Sequence, residues 1–305
     1  WLTLQVDSDS VIVLHGEDGE LRALHNVCRH RGSQLVAPGR GSSKRIVCPY
    51  HQWTYDTSGA LTFCRGMHEL DKSQFSLKKV HCETLEGLIF ISLADPAPPF
   101  GPARELMAPF LRPQGFARAK VAKQVDYEIA ANWKAIVENY LECYHCPTAH
   151  PGFSKLIDVD PDAYRLESGE WYSSQVGHVR ESASGNGGAP YSLDGGSREA
   201  HFHYVWPTFT INVLPGPPNV TAFYFVPIDA DRTMTLADSF YADGVAEADI
   251  AAMEEFGSQV GLEDQALVES IQRAARSGGL SEGRLLLESE HLIQHFQRLV
   301  ERALR

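Results

Sequence analysis

The chain has 305 residues, of which 43% are hydrophobic and 22% charged, and its formal net charge at pH 7 is -12. This length exceeds what one hydrophobic core usually holds, so two domains are expected. The acidic balance argues against a nucleic-acid-binding protein and against binding to an anionic membrane surface, because both need positive charge. Neither a long apolar run nor a secretory signal pattern is visible, and six cysteines are too few for a disulfide scaffold, so a cytoplasmic location is expected.

The N-terminal third predicts an all-β domain over residues 1–94. Short β-branched or aromatic runs, such as 11–14, 45–47 and 87–91, are separated by Gly, Asp and Ser. Four prolines then fall within residues 96–102, where neither a strand nor a helix can continue. A domain boundary is therefore predicted there, with a second domain over residues 95–305.

Two Cys/His pairs in the first domain indicate a redox centre. Cys28 and His30 are followed, after seventeen residues, by Cys48 and His51. Two thiolates and two imidazoles can hold a [2Fe-2S] cluster, with one iron on the cysteines and the other on the histidines. A structural zinc is the alternative, but zinc sites usually place both cysteines on one loop and both histidines on another.

The residues around these pairs strengthen the cluster interpretation. The segments C-R-H-R-G and C-P-Y-H-Q-W-x-Y-D resemble a Rieske domain. The resemblance implies two hairpin tips that clamp the cluster, with Pro49, Tyr50 and Trp53 shielding it from water. Hydrogen bonds and burial would then tune its potential.

The second domain is predicted to combine an antiparallel sheet with covering helices, which makes the whole chain α+β. Apolar residues spaced by three and four from Trp133 to Leu141 predict a helix that ends near Pro147. Strands are predicted over 202–206, 208–214 and 220–226, and helices return after Ala246.

Two histidines near the end of the first helix form a candidate metal site. Glu142 and His145 are three residues apart and would share a helix face. His150 would point away on an unbroken helix, but Pro147 allows the chain to turn and bring the two imidazoles together. A buried histidine bonded to a backbone carbonyl is the more common explanation for either residue taken alone.

The whole pattern resembles the large subunit of Rieske non-heme iron oxygenases. The segment N-W-K-x-x-x-E-N-Y-x-E-C-Y-H-C-x-x-x-H-P carries this resemblance, which extends over essentially the whole chain. It implies an iron(II) centre held by His145, His150 and one carboxylate. Asp264 is the expected carboxylate, with Glu263 and Glu269 as alternatives, although acidic residues are also common at helix starts.

The resemblance also implies an assembly. Glu142 occupies the position where the family usually carries an aspartate that links the cluster histidine of one subunit, here His51, to an iron ligand of the next. A head-to-tail homotrimer is therefore expected. Cys143 and Cys146 are interpreted as free packing residues, since no βαβ context supports a thioredoxin-like dithiol.

The implied chemistry is reductive activation of O2 with electrons from NAD(P)H, delivered by a separate flavin/iron-sulfur reductase. The motif variants look closest to monooxygenases of quaternary ammonium compounds such as betaines, carnitine or choline, which hydroxylate an N-methyl group. Aromatic faces suit such cations, so Tyr204, Trp206 and Phe209 are candidate cage residues. An aromatic-ring hydroxylating dioxygenase and a non-catalytic Rieske electron carrier are the alternatives.

Overall fold

The computed structural model describes residues 1–183, 188–194, 196–279 and 282–305. Within these ranges the chain forms two compact units, Trp1–Phe100 and Gly101–Arg305. Every helix in the described ranges is either too short or too polar to cross a membrane.

The first unit consists of two antiparallel sheets. The larger has the strand order β1-β2-β3-β7-β8 and the smaller the order β4-β5-β6. Their strands are β1 (Leu2–Val6), β2 (Asp9–His15), β3 (Leu21–His25), β4 (Arg45–Val47), β5 (Thr54–Asp56), β6 (Leu61–Phe63), β7 (Lys79–Leu85) and β8 (Leu88–Ser92). The core between them includes Leu24, Trp53 and Tyr55, each 2% exposed or less.

A seven-stranded antiparallel sheet forms the centre of the second unit, in the order β10-β11-β12-β13-β14-β15-β9. Its strands are β9 (Lys120–Ile129), β10 (Arg165–Ser168), β11 (Tyr172–His178), β12 (Glu199–Val205), β13 (Phe209–Val213), β14 (Asn219–Pro227) and β15 (Thr233–Tyr241). The first strand of this unit in sequence therefore pairs with the last, because β9 joins β15 at one edge.

In the described part of this unit, six α-helices accompany the sheet: α1 (Gly101–Leu111), α2 (Trp133–Tyr140), α3 (Cys146–Ala149), α4 (Pro151–Leu156), α5 (Glu247–Arg276) and α6 (Leu287–Ala303). Val268 of α5 and Phe296 of α6 pack in one buried cluster with Phe225 of the sheet. The two long helices thus bury their apolar faces against the strands, as the 3.6-residue spacing predicts. The predicted α+β class is confirmed.

The helix predicted to reach Pro147 is shorter than expected. It begins after the N-cap Asn132, whose side chain accepts from the Lys134 backbone N–H, and it ends at Tyr140. Leu141 continues the apolar spacing, but the next turn is not helical because the Glu142 carboxylate accepts from the backbone N–H groups of Tyr144 and His145. Glu142 and His145 therefore meet across a turn and not on one helix face.

Candidate metal centres and active-site cavity

The two Cys/His loops of the first unit are built alike. The Gly32 backbone N–H donates to the Cys28 carbonyl at 3.0 Å, and the Gln52 N–H donates to the Cys48 carbonyl at 3.1 Å. Both closing residues have positive φ, +73° at Gly32 and +60° at Gln52. Such a left-handed residue closes each turn tightly, so that the ligand side chains of the two loops converge.

The four predicted cluster ligands meet in this unit. Cys28 and Cys48 are 2% and 1% exposed, and the His30 and His51 rings are 4.7 Å apart. Among the residues that the structure describes, neither histidine Nδ1 atom has a hydrogen-bond partner, although both atoms are buried. Buried nitrogens of this kind fit a metal ligand, since an unpaired buried polar atom is otherwise costly. The residues therefore fit the cluster.

The shielding of this site differs from the sequence-based expectation. Trp53 is 2% exposed and stacks on His30 with a ring separation of 4.9 Å, but Tyr50 is 56% exposed. Tyr55, which sequence reasoning missed, is fully buried, and its hydroxyl lies 3.5 Å from Cys28 Sγ and accepts from the Arg29 N–H. Burial raises the pKa of Tyr55, so its proton stays available to Cys28.

A second ligand set forms in the second unit, where one ligand atom each from His145, His150 and Asp264 lies within 4.8 Å of the others. The Nε2 atoms of the two histidines are 3.0 Å apart, and Asp264 Oδ1 lies 3.0 Å from His150 Nε2. His145 precedes α3 and His150 lies between α3 and α4, while Asp264 comes from α5. Three such ligands would hold a metal and leave further coordination positions for other groups.

Further carboxylates hold the outer nitrogen of each histidine. Glu142 Oε1 contacts His145 Nδ1, and Glu263 Oε2 lies 2.7 Å from His150 Nδ1. Metal-ligating histidines usually bond a carboxylate or carbonyl through this second nitrogen, which fixes the ring and its tautomer. The donor set and its supports therefore fit a mononuclear iron.

The charges at this site stabilise one another. Burial opposes the protonation of His145, but its hydrogen bonds to Asp264 and Glu142 outweigh burial and raise its pKa to about 9. Burial also opposes the charge of Asp264, yet the two histidines lower the pKa of Asp264 overall. Asn139 Nδ2 donates to Asp264 Oδ1 at 2.8 Å and orients that carboxylate.

The two alternatives to Asp264 have other partners. Glu263 bonds His150 from the outer side, and Glu269 accepts from the Ala130 N–H at 3.3 Å and from Gln265 at 2.9 Å. The acidic pair also does not begin a helix, since α5 starts at Glu247 and continues past both residues. A general preference for acids at helix starts therefore does not explain Asp264.

Cys143 and Cys146 are not free thiols in this structure. A disulfide joins them. The same turn is closed by the Cys146 backbone N–H, which donates to the Cys143 carbonyl. Both residues are buried, as expected for packing residues, but the prediction that they are unpaired is wrong.

A cavity of about 470 Å³ extends along the sheet from the Asp264 end of this site. Strands β9, β12, β13, β14 and β15 form one wall and α5 forms another. Among the described residues that line it, eight are aromatic: Tyr127, Tyr140, Phe153, Phe202, Phe223, Phe225, Tyr241 and Phe256.

The aromatic residues predicted to form a cage lie elsewhere. Tyr204, Trp206 and Phe209 are not among the described residues that line this cavity. The Tyr204 hydroxyl donates to the Pro207 carbonyl, and the Tyr204 and Trp206 rings pack 5.9 and 5.8 Å from Phe296 of α6. Because α6 covers this end of β12, Tyr204 and Trp206 belong to the hydrophobic core. Sequence reasoning missed the aromatic residues of β9 and β14 that line the cavity.

Comparison with known proteins agrees with both centres. Residues 2–76 match the Rieske [2Fe-2S] domain, and residues 116–305 match the ring hydroxylating alpha subunit (catalytic domain). The chain belongs to the Rieske ring-hydroxylating oxygenase family. Its expected enzyme class is confirmed, as are a [2Fe-2S] cluster and a mononuclear iron that use O2 and electrons from a separate reductase.

Relatives of this Rieske oxygenase include oxygenase subunits of monooxygenases that are named for quaternary ammonium compounds. The chain is 33% identical to the carnitine monooxygenase oxygenase subunit of Acinetobacter pittii, covering 98% of this chain and 83% of that protein. It is 38% identical to the glycine betaine monooxygenase oxygenase subunit of Pseudomonas aeruginosa over 58% of this chain and 42% of that protein.

Solved structures agree with these relatives. The quaternary ammonium Rieske monooxygenase CntA in complex with L-carnitine superposes with a TM-score of 0.75 at 30% identity, over 99% of this chain and 83% of that chain. Naphthalene 1,2-dioxygenase from a Rhodococcus species, at 20% identity and a TM-score of 0.69 over 90% of this chain and 73% of that chain, shares the fold.

Proposed function

We propose that this Rieske oxygenase hydroxylates a carbon bonded to the nitrogen of a quaternary ammonium compound. The aromatic cavity that opens on Asp264 is the observation that carries this proposal. A quaternary nitrogen has a positive charge but no hydrogen to donate, so aromatic faces bind it better than hydrogen-bond acceptors do. The kinship to carnitine and glycine betaine monooxygenase subunits supports the same substrate class.

The charge pattern around the cavity suits this substrate. Asp264, Glu263 and Glu142 place three carboxylates at the metal end. Burial and the nearby charge of Asp264 both raise the pKa of Tyr127, so the Tyr127 ring stays neutral. With iron(II) bound, these three carboxylates still leave the metal end with a net negative charge, and Asp264 itself lines the cavity, so a cation is drawn toward the end where oxidation takes place.

We propose His145, His150 and Asp264 as the iron ligands and Cys28, His30, Cys48 and His51 as the cluster ligands. When bound, the cluster supplies electrons one at a time and the iron activates O2. Two electrons and two protons reduce one oxygen atom to water, while the other oxygen becomes the substrate hydroxyl. The hydroxyl then loses its proton, the C–N bond breaks with its electron pair going to nitrogen, and an aldehyde is released.

We further propose a head-to-tail homotrimer in which Glu142 connects His51 of one subunit to His145 of its neighbour. The Glu142 carboxylate already contacts His145 Nδ1 and is 9% exposed, and Tyr144 beside it is 61% exposed. A group that reaches this turn from outside is therefore one side chain away from a proposed iron ligand. The solved structure of a quaternary ammonium Rieske monooxygenase, which describes inter-subunit electron transfer in that enzyme, supports the arrangement.

A single turnover of chemically reduced, iron-loaded protein with O2 tests the proposed function without a reductase. The substrates are carnitine, γ-butyrobetaine, glycine betaine, choline and naphthalene, and the products scored are aldehydes, amines and ring diols. Aldehyde and amine in equal amounts from a quaternary ammonium compound support the proposal. A diol from naphthalene without aldehyde from any ammonium compound would assign the protein to ring dihydroxylation instead.

A further inference from the structure

The sheet wall of the cavity is arranged in rows whose polarity changes with distance from Asp264. Strand register places Tyr127 and Phe225 in one row, because both pair with Thr235. The next row, defined by the pairing of Val125 and Phe223 with Ala237, is mainly apolar. The rows nearest the metal end therefore present aromatic and aliphatic surface.

The third row is polar on four strands and ends in Phe202 of β12, which pairs with Asn212 and also lines the cavity. Lys123 and Thr221 both pair with Ser239, and Asn212 pairs with Thr221. All four side chains line the cavity. Lys123 is also the one basic side chain among the described residues that line it. The cavity thus has an aromatic end that suits a cationic head and a polar end with a positive charge.

Neighbouring side chains direct the Lys123 ammonium group. Glu254 Oε2 lies 3.1 Å from Lys123 Nζ, and Glu254 Oε1 accepts from the Tyr241 hydroxyl at 2.8 Å. An ammonium group has three N–H donors, so this contact uses only part of its capacity. The Lys123 side chain is 43% exposed, and an ion pair this exposed contributes little to stability, so stability is a weak reason for its presence.

The distance along the strand defines the length of a matching ligand. Lys123 and Tyr127 are four residues apart on one face of β9, so their Cα atoms are about 13 Å apart. At about 1.5 Å per carbon–carbon bond, a three-carbon spacer places a carboxylate about 5 Å from the quaternary nitrogen, and the lysine side chain covers most of the remaining length. A one-carbon spacer is about 2.5 Å shorter, so with the quaternary nitrogen at the Tyr127 row its carboxylate does not reach the ammonium group.

From this arrangement we infer that Lys123 binds the carboxylate of a substrate whose quaternary nitrogen lies at the Tyr127 row beside Asp264, and that the site prefers a three-carbon over a one-carbon spacer. This inference rests on the proposed function and specifies its substrate. Glu254 positions Lys123 and competes with the substrate carboxylate for it. The pair therefore sets selectivity for zwitterions over simple cations.

The test uses the iron-loaded protein with γ-butyrobetaine, glycine betaine and choline as probes. Calorimetry gives Kd, and aldehyde release gives KM and kcat, for the wild-type protein and for Lys123→Met, Lys123→Arg and Glu254→Gln. The visible spectrum of the cluster and the unfolding temperature show that each variant is folded.

Wild-type protein should bind γ-butyrobetaine more tightly than glycine betaine or choline. Lys123→Met should reduce the affinity ratio of γ-butyrobetaine to choline about ten- to hundredfold, the loss expected for one charge-assisted hydrogen bond. Lys123→Arg should keep most of that ratio. Glu254→Gln should increase it, because it removes the competing carboxylate.

Opposite effects of the two substitutions separate substrate binding from a structural role. If the pair only held α5 against β9, Lys123→Met and Glu254→Gln would lower the affinity for all three probes alike. That result would overturn the inference. The proposed function would still stand as long as the protein turned over an ammonium compound. If wild-type protein released no aldehyde from any of the three probes, the proposed function would fail, and this inference with it.

Discussion

Glu263 bonds His150 from the side of the imidazole opposite the proposed iron site, with its Oε2 atom 2.7 Å from Nδ1. The other ring nitrogen, Nε2, faces Asp264 Oδ1 at 3.0 Å. His150 is 2% exposed, so its ring cannot turn to find another partner. Its orientation is therefore controlled by two consecutive acidic residues of one helix, one on each nitrogen.

Glu263→Gln should weaken iron binding about 10–100-fold, the usual effect of losing a carboxylate behind a metal-bound histidine. The amide keeps the shape of the side chain but loses the charge that makes the imidazole a better ligand. Iron affinity is measured by competition with a chelator. Glu269→Gln, six residues along the same helix and bonded to Ala130 and Gln265, is the matched control and should leave iron affinity unchanged. Equal affinities for both variants would contradict this role of Glu263.

Sequence spacing could identify the proposed ligands but not the residues that support them. Cys28, His30, Cys48 and His51 belong to short loops whose geometry is local. Glu263, in contrast, meets His150 across 113 residues of chain. Periodicity predicts a buried helix face, but which carboxylate on that face reaches a histidine depends on how α5 packs on the sheet. For this reason the sequence favoured Asp264 as the ligand but left Glu263 and Glu269 as alternatives to it.

The same limit explains the misplaced aromatic cage. Phe202 and Tyr204 project from the same face of β12, yet Phe202 lines the cavity and Tyr204 packs against Phe296. Alternation along a strand assigns a side chain to a face, but not to the helix that covers that face. Tertiary packing of α5 and α6 decides which aromatic residues reach the cavity.

Glu142→Gln should slow the transfer of electrons from cluster to iron at saturating iron, while both metal centres are retained. The expected reason is that Glu142 connects a neighbouring subunit to His145, whose Nδ1 it contacts. Stopped-flow absorbance of the reduced cluster after mixing with O2 and substrate gives the rate. Glu263→Gln is the control, because it weakens the support of the other histidine without lying on this connection. If both variants slowed cluster oxidation equally, the effect would come from the iron ligands and the connecting role would be refuted.

His203→Leu should make the protein less sensitive to acid. Burial holds the pKa of His203 at about 3, and among the described residues neither of its ring nitrogens has a hydrogen-bond partner. The unfolded chain binds a proton below about pH 6.5 while folded His203 does not, so this residue removes stability as pH falls from about 6.5 toward 3. Between pH 7 and pH 5 the loss is about 2 kcal/mol.

Urea unfolding at the two pH values measures this effect. The free energy of unfolding of the wild-type protein should fall by about 2 kcal/mol more than that of His203→Leu. The comparison is made between the two proteins because other groups, including His201 with a pKa of about 4, respond to acid in both. Parallel losses in both proteins would show that His203 is protonated in the folded state.

Gly257 and Gly261 leave open space at the α5 wall of the cavity, and we predict that the cavity needs this space, whereas the backbone of α5 does not need glycine. Both line the cavity from within α5, and a Cβ atom at either position meets no atom within 4 Å outside its own helix and chain neighbours. Since glycine costs about 1 kcal/mol relative to alanine in a helix interior, Gly261→Ala should raise the unfolding temperature by about 2–4 °C. Gly261→Leu should instead fill the cavity and raise KM for γ-butyrobetaine, with cluster and iron content unchanged. A lower unfolding temperature for Gly261→Ala would show that the helix needs glycine there for its own packing, and the cavity would not be the reason for the residue.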